Sequence, residues 1–290
     1  MGGIIDKITE FIKELLQGWV VTNFETMFTD VNDKVGTIAG EVSKTPSTWN
    51  SGIFDMIKTL SDNVMIPIAG MIISFVLVYE LISMVIDKNN LHDFNTAIFI
   101  RFFMKACIAV MLLSKTFDIV MAVFDVGSHI VNSAASAITG STSIDVASTL
   151  QTMFNEQFSE MSIGELLGLG METMIVSLCM KIMSVLITVI LYGRMIEIYL
   201  YVSVAPVPCA TVTNREWGTI GTNYFKGLCA LAFQGFFMMV CVAIYAVLVA
   251  GVAVSDNLHT ALWSVAAYTV ILCFSLFKTG SLSKSIWNAH

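Results

Sequence analysis

Residues 171–239 read METMIVSLCMKIMSVLITVILYGRMIEIYLYVSVAPVPCATVTNREWGTIGTNYFKGLCALAFQGFFMM. Two apolar runs in this stretch are each long enough to cross a bilayer, and they are hinged at Ala205-Pro206-Val207-Pro208. A run of about 18 or more mostly apolar residues needs a hydrocarbon solvent rather than a soluble core. Two such runs joined by a turn make a membrane hairpin.

The rest of the chain agrees. Hydrophobic residues make up 56% and charged residues 13%, against about 25% charged in an ordinary soluble domain. Mean hydropathy is +0.78. The expected fold is all-α: a polytopic membrane protein of about five transmembrane helices, preceded by N-terminal amphipathic helices.

Toward the C-terminus, spans are expected at 171–204, 224–250 and 258–277, followed by a short basic tail. Toward the N-terminus, residues 140–170 form the main soluble segment, acidic and punctuated by Gly164, Gly168 and Gly170. Residues 116–138 are apolar but carry Asp118, Asp125 and His129. They are read as a helix that continues out of the membrane or lines a wet or proteinaceous interior. Spans at 96–113 and 64–86 flank the polar turn 87–95, with Pro67 tolerated in a first helical turn. Asn50 or Ser51 caps a short helix whose Ile53, Phe54, Ile57 and Leu60 share one side.

Residues 23–50, with Gly36, Gly40 and Pro46, read as a polar connector holding a short helix or two. Before it, Ile4, Ile8, Phe11, Ile12, Leu15 and Trp19 recur at helical spacing opposite Asp6, Lys7, Glu10, Lys13 and Glu14. That amphipathic helix either lies flat at the membrane interface or packs on a partner subunit. The parts are therefore an N-terminal region (1–62), a first hairpin with an extended helix (63–138), an acidic segment (139–170), a three-span core (171–278) and a tail (279–290).

Charge sets the sidedness. Between Lys115 and Lys181 there is no Lys or Arg, while seven acids occur. The positive-inside rule puts such a segment outside the cytoplasm. The 87–95 turn with Lys88, the 206–223 turn with Arg215, and the tail with Lys284 then fall inside. Five crossings satisfy these placements, with the N-terminus outside and the C-terminus cytoplasmic; the alternative of six, counting 116–138, puts the acidic 140–170 segment in the cytoplasm.

A charge at a helix centre costs about 2.5 to 3.5 kcal/mol on insertion scales, so each one requires a partner or a route to the interface. Glu80 and Arg101 are nearly equidistant from the middle of the 87–95 turn and are expected to pair across the hairpin or between subunits, with Lys105 one turn deeper. The alternative is that both cations snorkel to the surface. Arg194 and Glu197, at i and i+3, are close enough for a local pair. Lys181 reads as a snorkelling anchor. Pro206 and Pro208 break the helix at the cytoplasmic interface. In the turn beyond, Arg215 and Trp217 stand where a cytoplasmic partner can dock, although Trp217 also suits a routine interfacial position.

The net charge of −7 argues against direct nucleic-acid binding, which depends on neutralised phosphates. The six cysteines stand singly without CxxC, and the four histidines form no HExxH. No catalytic residue, metal or cofactor is expected, bound phospholipid apart.

Several features resemble a known family: the span ending in Ala205-Pro206, the turn with Trp217, the Asn223-Tyr224-Phe225-Lys226-Gly227 entry to a span with Gln234, and the tail Phe277-Lys278-Thr279-Gly280-Ser281-Leu282-Ser283-Lys284. Together they resemble the TrbL-like conjugal transfer proteins, polytopic inner-membrane subunits of type IV secretion systems, in the form found in conjugative elements of Gram-positive bacteria. The likeness covers about 64–285, with 171–284 carrying most of it. It implies a homo-oligomeric channel or scaffold component of a DNA and protein transfer machine in the bacterial cell membrane, working with other secretion subunits, ATPases and lipids. The family's central region is associated with translocated substrate, and the acidity of 140–170 departs from that. A small-solute transporter or ion channel is the alternative function. Paired repeats with matching broken helices would be its signature, and five spans with one Pro-x-Pro break do not divide that way.

Overall fold

The computed structural model describes residues 2–86, 96–139, 158, 161–252 and 257–289, and among these residues the regular structure is entirely helical. The 87–95 turn, most of the acidic 140–170 segment and the 253–256 turn lie outside the described residues.

The first helix, α1, runs unbroken over Gly2–Ser43. It thus absorbs most of the stretch expected to be a connector. The reason lies in a stripe at Val20, Phe24, Met27, Val31, Lys34, Ile38 and Val42, spaced by three or four residues and buried throughout. Two exposed helical glycines, Gly36 and Gly40, cost about 1 kcal/mol each relative to alanine. Burying six apolar side chains contributes about 1.5 kcal/mol or more apiece, and the stripe outweighs the glycines.

The short α2 (Pro46–Trp49) and α3 (Ser51–Leu60) follow. Asn50 caps α3 as expected, its Oδ1 accepting from the Ile53 amide at 3.0 Å. A π-helical turn, Ser61–Met65, leads into α4 (Ile66–Ile86). Next come α5 (Thr96–Ser114) and α6 (Thr116–Thr139). These two are nearly one rod, because the Lys115 amide donates to Met111 and the Lys115 carbonyl accepts from Ile119. The longest apolar helix is α7 (Ile163–Val204), and the proline hinge is α8 (Pro206–Cys209). The chain ends with α9 (Gly218–Val252) and α10 (Leu258–Ile286).

Among the described residues, five helical stretches are long and apolar enough to cross a membrane: Ser51–Ile86, Thr116–Ala137, Ile163–Val204, Gly218–Val252 and Leu258–Ile286. The expected number is met, and Thr116–Ala137, read from the sequence as a helix leaving the membrane or lining an interior, is among the five.

The chain gathers into two compact units. Unit 1 comprises Met1–Val42, Val131–Leu191 and Phe237–Thr279; unit 2 comprises Ser43–Ile130, Tyr192–Phe236 and Gly280–His290. The core of unit 1 joins the α1 stripe to Leu166, Leu169, Val176, Met180 and Ile187 of α7, Met238, Val242 and Tyr245 of α9, and Leu262, Val265 and Leu272 of α10. Polar ties set the register: Asn23 donates to Thr173 at 3.1 Å, Lys34 to the Met180 carbonyl at 3.2 Å, and the Tyr245 and Thr269 hydroxyls meet at 2.9 Å.

Unit 2 has two cores. One packs Phe117, Val120 and Phe124 of α6 on Met195, Ile198, Tyr199 and Val202 of α7 and on Leu228 and Leu231 of α9, with Trp49, Phe54 and Ile57 alongside. The other joins Ala69 and Ile73 of α4 to Ala109 and Leu113 of α5 and to Ala210. The proline hinge therefore packs on the first turns of α4 and the last turns of α5. Ala69, Ile73 and Ala109 form the apolar seat beneath it.

Candidate docking site at the charged turn

Glu80 is the last member of the buried α4 stripe that begins at Ala69, Ile73 and Val76. Because that stripe faces protein, its carboxylate is drawn inward and must be satisfied there. Lys105 of α5 provides the charge, donating to Oε1, and the Asn214 side-chain amide donates to Oε2 at 3.3 Å. The predicted hairpin pair thus forms with Lys105, one turn deeper, and not with Arg101, which is exposed. Depth counted from a turn that lies outside the described residues misjudged which cation shares the stripe.

Asn214 organises the turn beyond. Its Oδ1 accepts from the backbone amides of Glu216 and Trp217 at 2.8 and 2.9 Å, an Asx-type closure. Trp217 is thereby laid flat on α4, stacked on Phe75 at 5.4 Å and Tyr79 at 5.9 Å. The Tyr79 hydroxyl donates to Glu216 at 2.7 Å. Trp217 is consequently a clamp between turn and helix, and the exposed rim is made by Arg215 and Glu216. An open cleft of about 570 Å³ lies here, lined by Tyr79, Glu80, Ser83, Lys105, Arg215 and Glu216.

The hinge is rigid. Pro206 sits at the first helical position, where its missing N–H is not needed. The Pro206 carbonyl accepts from Ala210, and the Pro208 carbonyl accepts from the Thr211 amide. A Cβ on Gly221 would stand 2.6 Å from the Pro208 carbonyl oxygen, so this close approach needs glycine. Cys209 is buried in the hinge, and burial pushes its thiol up to about 11 against an opposing hydrogen bond with Thr116. A thiol held in its protonated form is a poor nucleophile.

Arg194 and Glu197 do not pair with each other. Arg194 is buried, its Nη2 donating to the Leu231 carbonyl at 3.5 Å, while Glu197 accepts from Lys284 at 2.8 Å. The last turn of α10 supplies a cation to the half-exposed carboxylate, and the guanidinium turns toward α9 instead. The same stretch of α10 lies tightly on α9. Ser283 donates to the Ala230 carbonyl at 2.5 Å, Trp287 packs on Phe233, and a Cβ on Gly280 would come within 3.2 Å of the Gln234 amide nitrogen. Gln234 and the Gly280–Ser283 stretch, quoted separately for their family resemblance, are therefore one contact.

Tyr79, Asn214 and Lys284 escaped the sequence reading. Asn214 carried a signal, an asparagine four residues before the Gly218 start of a helix in a charged turn, where side-chain closure is common.

Comparison with known proteins gives one family, described as TrbL/VirB6 plasmid conjugal transfer like protein, which matches residues 31–206. The match starts further toward the N-terminus than the resemblance did and ends at Pro206, before Trp217, Gln234 and the tail. No curated protein and no solved structure matches the chain. Since the match takes in the last third of α1, the α4–α5 hairpin, α6 and all of α7, and more than half of the chain, this protein belongs to the TrbL/VirB6 plasmid conjugal transfer-like family.

Proposed function

We propose that this family member, with five apolar helices among its described residues, is a multi-pass membrane component of a conjugal transfer, type IV secretion machine. Several copies assemble in the bacterial cell membrane into a structural part of the translocation path, with chemical energy supplied by partner ATPases. The observation that carries this reading is the family match over 31–206. In this reading the acidic, cation-free middle faces outward, and the Arg215 turn and Lys284 tail face the cytoplasm. The Arg215–Glu216 rim of the cleft is the contact for a cytoplasmic partner, and the protein acts as scaffold rather than enzyme.

Two measurements test the proposal. Deleting the coding sequence from a conjugative element should abolish transfer of that element, with restoration by the intact chain in trans. Particle images of the detergent-purified protein should show a closed ring. Unchanged transfer after deletion, or a monodisperse monomer, would defeat it.

A further inference from the structure

Unit 1 has two sides of opposite chemistry. In α7, the residues exposed between 171 and 191 are mostly apolar, Met174, Leu178, Ile182 and Val189 among them, as lipid contact requires. Beside it runs α1 in parallel, with Asn23 on Thr173 and Lys34 on Met180. From 22 to 40 every exposed α1 residue is polar or glycine, including Thr22, Glu25, Thr26, Thr29, Asp33 and Thr37. At 1.5 Å per residue this stretch is about 30 Å long, the height of the hydrocarbon core.

Such a face does not meet lipid. Glu25 and Asp33 alone would cost about 5 to 7 kcal/mol there on insertion scales. In an adjoining cleft of about 400 Å³, Asp30, Asp33 and Thr37 stand opposite Lys181, Ser184 and Thr188, over apolar side chains that include Val185 and Ile187. Lys181 is the one charge of α7 between Glu172 and Arg194, and it lies on the α1 side instead of snorkelling among the lipid-facing residues.

We propose that the Thr22–Thr37 face of α1 lines a water-filled passage through the membrane, closed by further copies of the chain. A second copy is the neighbour because one unit presents a lipid side and a wet side, which a ring resolves by turning the wet sides inward. Among residues 20–42 the single cation, Lys34, is buried on the Met180 carbonyl, so the wall's exposed acids, Glu25 and Asp33, outnumber its one exposed cation, Lys181 of α7. Its chemistry suits water, cations and extended neutral or basic polypeptide, and repels a polyanion. This inference rests on the oligomeric reading above and goes beyond it by naming the wall and its selectivity.

The test is thiol accessibility in membranes containing this protein alone. Thr26→Cys, Thr29→Cys and Thr37→Cys are compared with Leu178→Cys and Ile182→Cys, each in the full chain with the six native cysteines replaced by alanine. The probe is a charged, membrane-impermeant methanethiosulfonate, which needs the water-exposed thiolate. The α1 positions should react about tenfold or more faster than the α7 positions. Should the cysteine-free chain not fold, the same substitutions are read above the labelling of the native cysteines. Equal reactivity of both sets, or unreactive α1 positions, overturns the wet wall. Labelling of α1 that disappears in cells making the complete secretion machine assigns the face to a partner subunit, which also overturns it. Transfer frequency is not the readout, so failure here leaves the component reading standing, and failure of transfer leaves this result standing.

Discussion

The two units handle their charges in opposite ways. Unit 1 carries five Lys and Arg against thirteen Asp and Glu, whereas unit 2 carries ten against nine. In unit 2 the acids inside the apolar framework are answered within the chain: Glu80 by Lys105 and Asn214, and Glu197 by Lys284. In unit 1 the α1 acids Glu25 and Asp33 stay exposed beside an apolar helix. Charges of the first kind hold the fold together. Charges of the second kind require something outside the chain, and that contrast separates structural from functional polarity more sharply than depth counting does.

The contrast is most easily broken at the hinge of unit 2. Gly221→Ala pushes a methyl group against the Pro208 carbonyl at 2.6 Å, a backbone clash of the kind that costs about 1–3 kcal/mol. Melting in detergent should fall by several degrees, with loss of the Trp217 stacking signal in near-ultraviolet dichroism. Gly40→Ala on α1 meets nothing within 4 Å, and it should stabilise the helix by up to about 1 kcal/mol. If both substitutions behave alike, the hinge is not the tight point described.

Next in size is the Glu80 pair. Glu80→Ala leaves Lys105 and Asn214 without their acceptor and should cost about 2–3 kcal/mol. Lys105→Ala should cost less, about 1 kcal/mol, since the lysine side chain is 43% exposed. A double-mutant cycle should give a coupling near 1 kcal/mol, and additive losses would dissolve the pair.

Arg194 and Lys34 sharpen the comparison from the other side. Each is a buried cation resting on a backbone carbonyl, of Leu231 and Met180 respectively. Exchanging such a group for an apolar side chain of similar volume is often neutral or stabilising. Arg194→Met and Lys34→Met should therefore retain or raise the melting temperature, and marked destabilisation by either would show a partner contact that the single chain lacks.

The smallest effect belongs to Glu197→Gln. Its partner Lys284 is about two-fifths exposed, and exposed pairs contribute about 0.2–1 kcal/mol. Thermal stability should move by no more than a few degrees and show weak salt dependence. A larger loss would mean that this pair is shielded by neighbouring copies.

The hinge at Pro206 and Pro208, the α3 cap at Asn50, the apolar runs of α4, α7, α9 and α10, and the pairing of Glu80 with a cation on the returning helix were all legible in the residues. These features are local: a missing N–H, a side-chain oxygen three residues from an amide, a stretch of hydrocarbon. The continuous α1 was legible as well, through its stripe from Val20 to Val42, but Gly36, Gly40 and the surrounding threonines masked it. Helical propensity is a weak local preference that tertiary burial overrides.

By itself the amino-acid sequence determined that this chain lives in a membrane, where it is hinged, and which segments are poor in cations, because solvent preference and charge are carried residue by residue. Tertiary packing alone decided that Lys105 displaces Arg101, that Lys284 claims Glu197, that Trp217 clamps α4, and that a polar helix lies beside an apolar one. Those outcomes depend on which faces of distant helices meet, and a residue's own chemistry does not specify its neighbours.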